Sequence, residues 1–72
     1  MIEIDLHGLR HGYVEDELAN WLLVHYNGNR FPVKLITGNS SKMKKIVHKV
    51  CDEWKFTISE DMVNYGCLII RE

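Results

Sequence analysis

The sequence predicts an α/β fold: a two-layer sandwich in the order β-α-β-α-β-β, with a four-stranded mixed sheet and two helices on one face. Three observations predict it. Ile2, Ile4 and Leu6 alternate with Glu3, Asp5 and His7, the period of a strand with one buried face. Met43, Ile46, Val47, Val50, Cys51 and Trp54 recur at helical spacing, with Lys42, Lys44, Lys45 and Lys49 on the other faces. Turn residues close each segment, so strands and helices alternate along the chain.

The elements follow in order. Gly8 ends the first strand, and Leu9 to Gly12 form a connection in which Gly8 and Gly12 can both take positive φ. From about Tyr13, the residues Val14, Leu18, Trp21, Leu22 and His25 fall at helical spacing. Glu15, Asp16 and Glu17 then suit the positive end of that helix's dipole. Asn27-Gly28-Asn29 stops the helix, with Gly28 as the residue just past its end. Phe31 to Thr37 is β-rich and only weakly alternating, as a strand buried on both sides would be, and Pro32 belongs at its start. Gly38 closes it, and Ser40 or Ser41 caps the second helix. Phe56-Thr57-Ile58 and Asn64 to Arg71 read as strands joined by the polar turn Ser59-Glu60-Asp61. The first two strands, joined through a helix, are expected to be parallel, and the last two antiparallel. The sheet face away from the helices is expected to be partly open.

Composition sets limits. The 72 residues make one domain, 1–72, with 46% hydrophobic and 26% charged residues, which argues against disorder. A net charge of −1 excludes a uniformly basic nucleic-acid coat, but Lys42, Lys44, Lys45 and Lys49 form a local basic block free of acids. No apolar run approaches a membrane span and no leader pattern is read, so no membrane partner and a cytoplasmic setting are expected. Cys51 and Cys67 read as two thiols of the core. Trp21 and Trp54 read as core residues on helical stripes, and no His/Cys set has zinc spacing, so no metal ligands are assigned.

Two features could carry chemistry. Asp5 and His7, two apart on a strand, point to one side at its carboxyl end, where ligands of open α/β sheets gather. A carboxylate beside an imidazole suits general acid–base work, and Asp5 with its waters could hold a divalent cation such as Mg2+. Thr37-Gly38-Asn39-Ser40-Ser41 leads from a strand end into a helix flanked by Lys42, Lys44 and Lys45, an arrangement whose amides and dipole attract phosphate. Both features are expected on one edge of the sheet.

Ile4-Asp5-Leu6-His7-Gly8-Leu9 resembles the Leu-Asp-Leu-His-Gly motif of the small MutS-related (Smr) domain family. Ile36-Thr37-Gly38-Asn39-Ser40 stands where that family has its Thr/His-Gly-x-Gly loop, with Ser40 in place of the second glycine. The resemblance covers nearly the whole chain, although the connection through Arg10, His11 and Gly12 reads as longer than usual. It implies a fold like the C-terminal domain of a bacterial translation initiation factor and a partner that is DNA or RNA. It implies a cleavage role for Asp5 and His7, and nucleic-acid contacts at Thr37, Gly38 and Asn39. With Ser40, Lys42, Lys44 and Lys45 added from the residues themselves, the reading is a nucleic-acid-binding domain with nicking endonuclease (hydrolase) activity. A non-catalytic nucleic-acid-binding module and a small protein-interaction adaptor are the alternatives. Targeting would come from this small surface or from a protein partner.

Overall fold

In the computed structural model, which describes residues 1–61 and 63–72, the elements are β1 (Ile2–Asp5), α1 (His11–Asn27), β2 (Val33–Ile36), α2 (Ser41–Glu53), β3 (Thr57–Glu60) and β4 (Cys67–Arg71). The strands form one sheet in the order β1-β2-β4-β3. β1 pairs with β2 in parallel, Ile4 opposite Leu35, while β4 runs antiparallel to both β2 and β3. This is the expected mixed sheet of a two-layer sandwich.

One face of the sheet carries the core. Val14, Leu18 and Leu22 of α1 and Met43, Ile46, Val47, Val50 and Cys51 of α2 pack onto Leu6, Val33, Leu35, Leu68 and Ile70. Removing a buried leucine such as Leu18 or Leu35 would cost about 2–5 kcal/mol, a large share of what a domain this small has. Both cysteines are buried and unpaired. Burial pushes the Cys51 thiol up to about 12. On the opposite face, Cys67 and Ile69 are also buried, whereas Glu3 and Asp5 are exposed. β2 is therefore not buried on both sides: Val33 and Leu35 are fully buried, and Lys34 and Ile36 only half. The Lys34 ammonium lies 3.2 Å from Asp61 and 3.9 Å from Glu3 on that second face.

Several boundaries differ from the expectation, each for a local reason. α1 starts at His11, with Arg10 as its N-cap, so Gly12 is helical and the long connection is short. The acids at 15–17 then fall beyond the first turn, which contains none. At the end of α1 the left-handed residue is Asn29, at φ 57, not Gly28, at φ −88. The Arg30 amide reaches the His25 carbonyl at 2.9 Å and the Asn29 amide the Tyr26 carbonyl at 3.0 Å, a Schellman closure. α2 closes likewise through Lys55, at φ 63, with the Phe56 amide on the Cys51 carbonyl at 2.9 Å. Its apolar stripe outlasts the helix, and Trp54 is its C-cap, 48% exposed and not core. Trp21 is half-buried, edge-on to Tyr13 with ring centroids 5.7 Å apart. Ser59 and Glu60 belong to β3, and β4 begins only at Cys67, since 64–66 turn the chain. No helix among the described residues is long and apolar enough to cross a membrane.

Candidate functional site

Parallel pairing of β1 with β2 brings both carboxyl ends, and the starts of both helices, to one edge of the sheet. The Leu6 amide donates to the Ile36 carbonyl at 2.8 Å and holds the tips side by side. Asp5 Oδ1 then accepts from the His7 amide at 2.9 Å, and Gly8, at φ 84, turns the chain away. Asp5 and His7 are both exposed. Asp5 grips the His7 main chain; among the described residues no hydrogen bond joins the carboxylate to the imidazole.

The neighbouring tip is Thr37-Gly38. Gly38 sits in the left-handed region at φ 65, and the His7 ring lies directly against it. A Cβ added to Gly38 would come 2.9 Å from His7 Cδ2. The backbone at 38 favours glycine, and any Cβ there would have to displace the exposed His7 ring. The two sequence features meet at this contact.

A third segment, expected from the sequence as the start of the last strand, completes the turn. The Gly66 carbonyl accepts from the Thr37 amide at 2.8 Å and the Gly38 amide at 3.0 Å. The Thr37 hydroxyl lies 3.1 Å from the same oxygen and 3.0 Å from the Gly38 carbonyl, to one of which it donates. Thr37 is 1% exposed, so it braces the turn from within. A Cβ on Gly66 would approach Gly38 Cα to 3.3 Å, which explains a glycine just before β4. The glycine of the Asn64-Tyr65-Gly66 triplet was the only signal for this, and it carried no hint of the partner.

The amides of Thr37 and Gly38 are therefore engaged inside the fold. Those of Asn39, Ser40, Ser41 and Lys42 donate to no group among the described residues, as the first turn of a helix leaves them. Ser40 is the N-cap of α2: its hydroxyl accepts from the Met43 amide at 3.0 Å, with φ −75 and ψ 110. That conformation suits serine, so no glycine is needed there. The lysines separate. Lys42 and Lys45 are exposed beside the helix start. Lys44 Nζ instead donates to the Tyr65 carbonyl at 3.0 Å and sits 3.7 Å over the Tyr65 ring, pinning the loop that carries Gly66. Lys49 pairs with Glu15 at 3.3 Å, tying α2 to α1. Among the described residues, no three His, Cys, Asp or Glu side chains gather where they could hold a metal ion.

No protein-family model matches the sequence, and no curated protein does. Among solved structures, the chain is similar to the crystal structure of the human small-MutS related domain. The two are 26% identical, the match covers 97% of this chain and 99% of that chain, and the TM-score is 0.73. The likeness in the Ile4–Leu9 and Thr37–Ser40 segments thus extends to the whole architecture, and the protein has the fold of a small MutS-related domain.

Proposed function

We propose that residues 1–72 act as a single nucleic-acid-binding domain of the small MutS-related type, holding a phosphate of DNA or RNA at the shared edge of β1 and β2. The observation that carries this reading is the His7–Gly38 contact, which joins an acid–imidazole strand tip to a lysine-flanked helix start. The amides of Asn39, Ser40, Ser41 and Lys42 and the positive end of α2 receive the phosphate oxygens. Lys42 and Lys45 supply charge without reading sequence. Thr37, Gly38 and Lys44 act as positioning residues that hold the turn.

Cleavage would be carried by Asp5 and His7. A water oxygen bonds to phosphorus, one bridging phosphorus–oxygen bond breaks, and a proton passes from the water to the leaving oxygen. His7, exposed beside the phosphate position, moves that proton. Asp5 Oδ2 orients the water while Oδ1 fixes the His7 main chain. A cation such as Mg2+ would be held by Asp5, water and the substrate's own phosphate. The missing carboxylate–imidazole hydrogen bond favours a second reading, binding without cleavage. A cytoplasmic setting accords with two free thiols, and a protein partner would supply targeting.

A gel-shift and nicking panel on single- and double-stranded DNA and RNA, with and without magnesium, tests both readings. Binding that weakens as salt rises, with nicking abolished in Asp5→Ala and His7→Ala, is the expected result. Equal nuclease traces in wild type and both variants would end the cleavage claim. No binding at low salt would end the nucleic-acid claim.

A further inference from the structure

Among the described residues, β1 is an edge strand, paired only with β2. The Leu6 amide points to Ile36 on β2, so by the alternation of a parallel ladder Ile4 and Ile2 also turn their main-chain groups toward β2. The N–H and C=O groups of Glu3 and Asp5 therefore face away from the sheet. The strip ends at His7, whose amide is capped by Asp5 Oδ1.

Beside this edge lies an open apolar groove of about 470 Å3, lined by Ile4, Leu9, Tyr13, Trp21, Val24 and His25. It exists because α1 is apolar on more than one face. Val14, Leu18 and Leu22 enter the core, while Tyr13 and Val24 remain 51% and 59% exposed. Ile4 belongs to both strand and groove, so a strand added outside β1 would place alternate side chains in it.

The surrounding charges choose the occupant. Glu3 and Asp5 are exposed and project on the other face of the same edge. Lys34 reaches Glu3 only at 3.9 Å and is held more closely by Asp61. Arg30, at the far end, is bound to His25 Nδ1 at 3.0 Å and to the Val24 carbonyl at 3.1 Å. An added strand carrying acids would oppose Glu3 and Asp5, and a second copy pairing β1 to β1 would likewise oppose acid to acid. We propose that this edge binds an extended basic peptide of a partner protein by strand addition. Its apolar residues enter the groove, and its alternate Lys or Arg residues meet Glu3 and Asp5. The peptide would meet Asp5, which the cleavage reading also uses, but the proposal does not rest on that reading.

The test uses the full chain and a synthetic peptide alternating Val with Lys, beside its Val–Glu counterpart and a Val–Lys peptide with N-methylated backbone amides. Trp21 reports groove occupancy once the exposed Trp54 is replaced by Phe. The Val–Lys peptide is expected to change Trp21 fluorescence, to slow exchange of the Glu3 and Asp5 amides, and to bind about tenfold more tightly than Val–Glu. N-methylation and, separately, Val24→Glu should each weaken binding about tenfold; position 24 is exposed, so the fold should survive. Binding indifferent to N-methylation, or no binding at millimolar peptide, overturns the proposal. So does a Trp21 response to a single-stranded oligonucleotide but not to the peptide.

Discussion

Adding one methyl group at Gly38 tests whether the two strand tips touch. Alanine at φ 65 carries the left-handed penalty of about 1 kcal/mol. It must also displace the His7 ring, since the new Cβ would stand 2.9 Å from Cδ2. His7 is exposed and can rotate, so this second contribution is modest, of the order of 1 kcal/mol for an unfavourable rotamer. Urea unfolding followed by circular dichroism should therefore show Gly38→Ala destabilised by about 2 kcal/mol. In a His7→Ala background the ring is gone and only the backbone penalty is left, about 1 kcal/mol, giving a coupling of about 1 kcal/mol. Additivity of the two changes to within about 0.3 kcal/mol would show that the ring does not lie on Gly38. The two strand tips would then not form a shared site.

Other expectations follow from the same geometry. Ser40→Ala should cost about 1 kcal/mol by uncapping α2, and Ser40→Gly only a few tenths, both measurable by urea unfolding. Lys55→Gly should stabilise by about 1 kcal/mol, because Lys55 occupies the left-handed region at the end of α2; an unchanged midpoint would contradict this. The Val63 amide, then the Lys34 ammonium, with the Asn64 amide, hold the Asp61 carboxyl below its ordinary 3.8, and hydrogen bonding to Asp61 chiefly raises Lys34. A carboxyl lowered in the folded state supports stability above its ordinary pKa and loses that support as pH falls through the folded value. The unfolding midpoints of wild type and Asp61→Asn should accordingly differ at pH 7 and converge as pH drops below about 4.

Much of this architecture was legible because its periodicities are strict. The alternation of Ile2, Ile4 and Leu6 marked β1 and the face bearing Glu3 and Asp5, although β1 ends at Asp5 and His7 lies in the turn beyond it, and the Met43–Cys51 stripe marked α2. The stripe misled only at Trp54, because apolar spacing continues after the hydrogen-bonded helix has closed through Lys55. Gly12 misled because a glycine tolerant of positive φ is equally free to be helical. At the site, the convergence of Asp5, His7 and Gly38 followed from one topological argument, parallel strands joined by a helix. What a one-dimensional reading lacked was the partner from β4's approach. The Gly66 carbonyl takes the Thr37 and Gly38 amides, and the Tyr65 ring and carbonyl take Lys44. Both contacts span more than twenty residues, and no local pattern encodes them.

One sheet edge, built from the tips of β1 and β2, is proposed to receive a nucleic-acid backbone. Backbone amide chemical-shift mapping with a short single-stranded oligonucleotide tests it most directly. The account predicts perturbations centred on Asp5 to Gly8 and Gly38 to Lys45, fading as salt is raised. Shifts concentrated instead at the helix C-termini, around Asn27 to Arg30 and Trp54 to Phe56, would contradict it.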